Sequence, residues 1–229
     1  ASGAAAWTAT PCTAPPTILA PTLSPAPTIT VAPTMACAEG VVCFVASTYM
    51  DLVSGFGAAV INGGGVGEGS FEVDLRDSIA VESTIFLTGA NLSVVFKSSN
   101  GRGALSGDHQ RRVLRLTGAG TNVTLDGVGV HDGLRDNRLT LGGYTIDGSG
   151  GCIVVENGAV LRMKACVISG CKATGRTGFP ENENGGAIYV TDGGEVSIRD
   201  GCLLRDNFAS GFGGAIALNG GALTLQDST

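Results

Sequence analysis

The sequence predicts an all-β protein: a right-handed parallel β-helix preceded by an extended arm rich in Pro and Thr. Three observations predict this fold, namely the glycine content, the alternation of apolar residues and an internal repeat. Gly contributes 37 of the 229 residues, hydrophobic residues make up 43% and charged residues 15%. This balance is typical of a packed chain with many tight turns, because Gly adopts positive φ without a Cβ clash.

The amino-terminal segment, residues 1–36, has a composition of its own. Seven of the eight prolines lie between Pro11 and Pro33. Proline fixes φ and disfavours helix in the residue before it, so this segment is predicted to be extended. It is either a flexible linker or an arm that carries O-glycans, and we favour the arm. The O-glycan candidates share a place beside proline: Thr17, Thr22, Ser24, Thr28 and Thr34.

Residues 37–56 are predicted to form a junction or cap between the arm and the β-helix. Cys37 and Cys43 lie in its first part, where they could close a small disulfide loop. From residue 57 to residue 229, short β-rich runs cut by Gly predict the β-helix itself. In a run such as Phe71-Glu-Val-Asp-Leu75, alternation of period two places one set of side chains inside and the other outside.

An internal repeat decides the architecture. Gly150-Gly-Cys-Ile153 returns as Gly185-Gly-Ala-Ile188 and as Gly213-Gly-Ala-Ile216, with the glycine pairs 35 and 28 residues apart. Short strands joined by glycine turns at this period predict a parallel solenoid, which we take as right-handed because parallel crossovers almost always are. Equivalent inward residues are therefore expected to stack, with Ile153, Ile188 and Ile216 in one column.

A second element of alternating apolar residues recurs between the glycine pairs. Its copies are Val123–Val130, Leu161–Ile168, Val196–Leu204 and a beginning at Leu223-Thr-Leu225. The copy that ends at Leu204 is one residue longer, which a bulge would accommodate. These copies predict a second inward column of Met163, Ile198 and Leu225. Residues 139–146 either fit the same pattern or form an insertion between repeats.

The repeat resembles that of the polymorphic outer membrane proteins and of large algal and protist surface glycoproteins. Gly-Gly-Ala-Ile at 185–188 and 213–216, with Leu204-Arg-Asp-Asn207 between them, carries the likeness, which covers about residues 120–229. At one equivalent position Cys171 replaces the Asn of the pattern. The arm resembles the hydroxyproline-rich glycoproteins of algal walls. That resemblance implies hydroxyproline candidates at Pro15, Pro16, Pro21, Pro25, Pro27 and Pro33.

Seven cysteines without a CxxC pair, together with the sequons at Asn91 and Asn122, favour a secreted or cell-surface glycoprotein. An amino terminus at Ala1 fits removal of a signal peptide. The disulfide candidates are Cys12, Cys37, Cys43, Cys152, Cys166, Cys171 and Cys202. Cys166 and Cys202 share a repeat column and could face each other, and Cys152 and Cys171 lie near each other. The odd thiol is either Cys12, free to pair with Cys37, Cys43 or another chain, or one buried cysteine.

Several function classes are disfavoured. A net charge of −6 argues against nucleic acid as a partner, and no apolar run approaches the ~20 residues of a membrane helix. A polysaccharide lyase or hydrolase needs clustered carboxylates, but the outward column of Asp126, Lys164, Arg199 and Gln226 mixes charges. Asp126, Asp132, Asp136 and Asp147 are interpreted mainly as turn residues, and neither His109 nor His131 lies in a motif with a nucleophile. We therefore expect no enzymatic activity, metal or cofactor.

The favoured function is a structural subunit of an extracellular fibril, coat or appendage. No polar cap follows Leu223 and Leu225, so their edge is expected to take a strand from another copy. The arm segment Thr28-Ile29-Thr30-Val31 could donate that strand and build a head-to-tail filament. The alternatives are a fragment of a longer solenoid, a carbohydrate-binding or adhesive module, and, less favoured, a polysaccharide lyase or hydrolase.

Overall fold

The computed structural model describes residues 37–56, 68–136, 140–141, 144–145, 149–174 and 183–228. These residues form strands in mostly parallel sheets with one α-helix, which confirms the all-β class. All of these described residues belong to one compact unit.

Sheet I has seven parallel strands, and it runs through the whole described region. In spatial order its strands are β1 (Val41–Ala46), β2 (Glu68–Leu75), β5 (Asn91–Lys97), β8 (Thr121–Asp126), β14 (Val160–Lys164), β18 (Glu195–Arg199) and β22 (Ala222–Leu225). Because β1 pairs with β2, the sheet begins inside residues 37–56, earlier than the predicted boundary at residue 57.

Two five-stranded parallel sheets collect the strands that lie between those of sheet I along the chain. Sheet II contains β4 (Ile85–Thr88), β7 (Leu114–Thr117), β13 (Ile153–Glu156), β17 (Ile188–Thr191) and β21 (Ile216–Asn219). Sheet III contains β3 (Ser78–Ala80), β6 (Ala104–Ser106), β9 (Gly129–His131), β15 (Val167–Ser169) and β19 (Leu203–Arg205). From β2 onward, the chain therefore visits sheets I, III and II in turn, and each of these strands pairs with its counterpart one repeat away.

Three smaller elements complete the described fold. A short parallel sheet joins β10 (Leu134–Asp136), β16 (Lys172–Thr174) and β20 (Phe208–Ala209). The strands β11 (Thr140–Leu141) and β12 (Tyr144–Thr145) pair with each other and are antiparallel, and neither pairs with another described strand. These two strands thus fit the insertion that the sequence offered as an alternative, and not another copy of the repeat. The single helix, α1, spans Tyr49–Phe56.

The predicted columns are in register. Ile153 pairs with Ile188 and Ile188 with Ile216 across sheet II. Met163 pairs with Ile198 and Ile198 with Leu225 across sheet I. Burial alternates with period two along β5, β8 and β14, so one face of each strand packs into the core.

The extra residue before Leu204 lies in a corner and not in a strand. Lys164 pairs with Arg199 and Val167 with Leu203, so both flanking strands keep their register. The two corners differ instead. Ala165 is left-handed in the shorter corner, whereas Asp200 and Gly201 are both left-handed in the longer one. Corner length can therefore vary without shifting the ladders.

Candidate functional site

The arm candidates lie outside the described residues. This applies to Cys12, to the O-glycan and hydroxyproline candidates between Pro15 and Thr34, and to the segment Thr28–Val31 proposed as a donated strand. They stay predictions from the sequence.

The two sequons differ in accessibility. Asn91 is exposed at the start of β5. Asn122 is half-buried in β8, where its Oδ1 accepts a hydrogen bond from Arg162 Nη1 at 3.3 Å. Because an N-glycan attaches to the side-chain amide, Asn91 is the better placed of the two acceptors.

Four cysteines lie in pairs at disulfide distance. The Sγ atoms of Cys37 and Cys43 are 2.10 Å apart, and those of Cys152 and Cys171 are 1.99 Å apart. The second pair is fully buried beside β13 and β16. The first lies at the edge of sheet I, since Cys43 belongs to β1.

Cys166 and Cys202, both named above as disulfide candidates, are buried free thiols. They do face each other, because the backbone N–H of Cys166 donates to Cys202 Sγ at 3.2 Å. Burial, reinforced by the neighbouring Cys202, raises the pKa of the Cys166 thiol to about 12. The thiol therefore stays protonated at neutral pH and is a poor nucleophile or metal ligand.

The last strand of each sheet leaves inward-facing side chains uncovered. β19, β20, β21 and β22, here called the terminal strands, each have a partner on one side only within the described residues. Leu225 is 58% exposed and Leu218 45%, whereas Ile198 and Val190, their partners one repeat earlier, are fully buried. The side chains of Phe208 and Phe212 are also exposed. Within the described residues, this layer thus carries apolar side chains that no further strand covers.

Three glycines at equivalent positions of successive repeats also distinguish the uncovered layer from the covered ones. A Cβ on Gly151 would collide with the carbonyl oxygen of Gly186, and a Cβ on Gly186 would collide with that of Gly214. At Gly214 the nearest atom, the carbonyl oxygen of Asn207, lies 3.6 Å away, an ordinary contact. Among the described residues, nothing at position 214 would collide with a Cβ. A further layer stacked on this one would require a glycine there, and Gly214 is one.

The opposite end is partly covered by α1. Tyr49, Leu52 and Phe56 of the helix are buried, and the Phe56 ring packs against Phe44 and Phe96 at centroid distances of 5.1 and 5.9 Å. Tyr49 Oη and Ser83 Oγ are 3.0 Å apart. Two large apolar side chains remain exposed at this end, Val42 at 51% and Met50 at 60%.

A polar cluster that the sequence did not reveal lies on the outward face of sheet III. Ser78 Oγ is 3.0 Å from His131 Nε2, and His131 Nδ1 is 2.9 Å from Asp132 Oδ2. Asp132 adopts a left-handed φ of 53°, which turns its carboxylate back to the preceding residue. His109 Nε2 lies 3.5 Å from the other carboxylate oxygen.

Sequence reasoning found the neighbours His131 and Asp132 but missed Ser78, which is 53 residues from His131. Only the strand order of sheet III brings them together. One signal was present: Ala104 and Gly129, which lie between them on the outward face, have little or no side chain. Small residues at consecutive outward positions leave room for a long side chain to lie across them.

The aspartates considered as metal ligands from the sequence are not grouped within the described residues. Asp126 forms an ion pair with Lys164 at 3.3 Å. Asp132 lies in the polar cluster, Asp136 ends β10, and Asp147 lies outside the described residues. Across the described ranges, no three His, Cys, Asp or Glu residues are grouped so as to hold a metal ion.

No family model, curated protein or solved structure matches this chain. Within the part of the chain that the structure describes, no helix has both the length and the apolar character that a membrane span needs.

Proposed function

We propose that the chain is a right-handed parallel β-helix that serves as a structural subunit of an extracellular glycoprotein fibril, coat or appendage. The observation that carries the proposal is the uncovered layer formed by the terminal strands. Its apolar side chains repeat the columns that are fully buried elsewhere, so a layer of the same form is the natural cover. A second copy of this chain supplies such a layer.

Backbone hydrogen bonding supports this cover. In the repeat before the terminal one, the N–H groups of Gly185, Gly186 and Ala187 donate to carbonyl oxygens of the next repeat at 2.8 to 3.0 Å. The equivalent groups of Gly213 and Gly214 have no backbone acceptor within the described residues. Unpaired strand edges of this kind favour the addition of another strand.

Both ends of the described fold contribute to a head-to-tail contact. Within the described ranges, sheet I ends at β1 on one side and at β22 on the other, and a parallel β22–β1 pair between two copies would continue it. The exposed Val42 and Met50 lie at the first end, whereas the exposed Leu218 and Leu225 lie at the last. Burying apolar area at such a joint is favourable by about 25 cal/mol for each Å².

The extracellular and glycoprotein parts of the proposal rest on residue chemistry. Two cysteine pairs at disulfide distance suit an oxidising compartment. The exposed Asn91 suits N-glycosylation, and the Pro/Thr-rich arm suits O-glycosylation. The resemblance to surface-protein repeats points the same way.

The test is the assembly state of the 229-residue chain, measured by light scattering after gel filtration and by negative-stain electron microscopy. We expect filaments from the wild type and monomers from Leu225→Lys, since a charge on the terminal layer cannot be buried in the joint. Val167→Lys is the matched control. Val167 is an apolar side chain that is 38% exposed on the outward face of β15, a strand that is paired on both sides, so this variant should still assemble.

A wild-type chain that stays a monomer at high concentration would overturn the proposal. Equal assembly by Leu225→Lys and Val167→Lys would place the contact elsewhere and would equally reject the terminal layer as the joint.

A further inference from the structure

We propose that Ser78, His131 and Asp132 form a hydrolytic site for carboxylic esters of negatively charged molecules. The three residues do not depend on assembly, because Ser78 lies in β3, His131 in β9 and Asp132 in the turn that follows β9, away from the terminal strands. Arg205, which bears on the substrate below, lies in the terminal strand β19. From the sequence we expected no enzymatic activity, and this proposal differs from that expectation.

The chemistry of the three groups sets the direction of both hydrogen bonds. An ionised carboxylate only accepts hydrogen bonds, so His131 Nδ1 must carry the proton in its 2.9 Å contact with Asp132 Oδ2. In the neutral ring Nε2 then has a free lone pair, and Ser78 Oγ donates to it across 3.0 Å. A hydroxyl that donates to an imidazole held by a carboxylate is the arrangement that activates serine nucleophiles.

The fold holds Asp132 in place to orient the imidazole. Its backbone N–H donates to Ser169 O at 3.0 Å, and its carbonyl accepts from the His109 N–H at 2.7 Å. Gly170 lies so close that an added Cβ would be 2.5 Å from Asp132 Oδ1. A carboxylate fixed on one side and shared with His109 on the other stabilises the positive imidazolium that forms during proton transfer.

The sheet register lets His131 reach Ser78. Ser78 pairs with Ala104, and Ala104 with Gly129, so the serine and the histidine are separated by one strand, β6. Ala104 and Ser106 on that strand point outward yet are each only 8% exposed, as expected beneath a ring that lies across them. A larger residue at Ala104 would block the contact.

A groove beside the histidine indicates the substrate class. It has a volume of about 570 Å³, and its lining includes His131, Arg102, Arg205, Ser169, Gly103 and Gly129, whereas Ser78 and Asp132 lie outside it. Among the described residues that line it there is no carboxylate. Arg102 forms an ion pair with Asp77, next to Ser78, whereas no ion pair to Arg205 is found in the described part of the chain. The guanidinium group of Arg205, in a lining whose described residues include no carboxylate, favours a substrate with negative charge.

The reaction is an ordinary ester hydrolysis in two halves. Ser78 Oγ bonds to the acyl carbon while its proton passes to His131 Nε2; the ester C–O bond then breaks, and the alkoxide leaves with that proton as an alcohol. A water molecule next attacks the acyl-serine and gives one proton to His131, which returns it to Ser78 Oγ as the carboxylic acid departs. Ester and water become acid and alcohol, and no other reactant is needed.

The test uses the full chain with 4-nitrophenyl acetate, the anionic ester 4-acetoxybenzoate and a fluorophosphonate probe whose adduct is located by peptide mass spectrometry. We expect labelling at Ser78 and a loss of esterase activity of about 10³-fold in Ser78→Ala and at least about 10²-fold in His131→Gln. Arg205→Ala should lower hydrolysis of 4-acetoxybenzoate several-fold more than hydrolysis of 4-nitrophenyl acetate. Ser197→Ala, a serine on sheet I outside the groove, should behave as the wild type.

Two outcomes would overturn the assignment. Absence of fluorophosphonate labelling at Ser78 rejects the nucleophile. Hydrolysis that His131→Gln abolishes and Ser78→Ala leaves intact would show a bare imidazole acting alone. Circular dichroism of both variants separates these results from misfolding, which is not expected because Ser78 is exposed.

Discussion

Thr48 and Asp51 close the amino end of α1 with reciprocal hydrogen bonds. Thr48 Oγ1 accepts from the Asp51 N–H at 3.2 Å, and Asp51 Oδ2 accepts from the N–H groups of Thr48 and Ser47 at 2.8 and 2.9 Å. This is the capping box that begins many helices. Partial burial on its own raises the pKa of Asp51, but the hydrogen bonds from Ser47 and Thr48 outweigh it, and the pKa lies below 3.8.

The lowered pKa predicts an acid-sensitive cap. Because the folded-state pKa lies below the unfolded value, ionised Asp51 stabilises the native state above about pH 4, and this stabilisation is lost as the pH falls through the lowered pKa. Asp51→Asn should therefore reduce the free energy of unfolding by about 0.5 kcal/mol at pH 7 and by nothing measurable at pH 2. Urea titrations at the two pH values measure this difference. Glu39→Gln, an exposed change outside the cap, is the control, and an equal deficit in Asp51→Asn at both pH values would contradict the assignment.

Single residues also show where sequence reasoning ends. The shared column of Cys166 and Cys202 could be predicted from the repeat, but their state as free thiols depends on local geometry that spacing does not encode. Likewise, the contact between Ser78 and His131 requires knowledge of which strands are neighbours and of how far an imidazole can reach.

At the scale of elements, the strands of the second half could be predicted because the same residues recur at equivalent positions of successive repeats. Gly-Gly-x-Ile begins a strand of sheet II in three successive repeats, and the isoleucines pair in order. The helix was missed, since eight residues are too few to display a helical period. Its capping residues, Thr48 and Asp51, were the available signal.

The glycine ladder yields a prediction for paired substitutions. Gly186→Ala should reduce the free energy of unfolding by roughly 2 kcal/mol or more, since its Cβ collides with the Gly214 carbonyl and backbone must move. Gly214→Ala should change it by less than about 0.5 kcal/mol in the monomer, because its nearest neighbour is 3.6 Å away. Urea unfolding of dilute samples measures both values.

The same pair bears on the joint between copies. If a second copy covers the terminal layer, Gly214→Ala should block filaments even though the monomer stays stable. A large loss of monomer stability in Gly214→Ala, matching that of Gly186→Ala, would contradict the open environment assigned to Gly214.

At the scale of the whole molecule, the arm and the terminal strands can be separated experimentally. Deletion of residues 1–36 should leave soluble monomers if the segment Thr28–Val31 is the strand that covers the terminal layer. Electron microscopy of the deleted chain measures this directly. Filaments of normal length would reject the donated strand and leave the β22–β1 contact as the joint.

The overall class and the stacking of repeats followed from composition and periodicity. The architecture of the first end did not, because the Gly-Gly-x-Ile pattern does not occur there and the cover is a helix with an aromatic cluster around Phe56. The repeat therefore predicts the strands that follow it well and the first end poorly, since residues 37–56 do not follow the repeat.

The parallel arrangement of every strand in sheets I to III gives the molecule a direction. A symmetric pair of copies would set β22 against β22 running in opposite senses, whereas a polar chain of copies preserves the pattern found inside each one. A fibre grown in this way has a leading tip and a trailing tip of unlike chemistry. An antibody against α1 should therefore decorate one tip only.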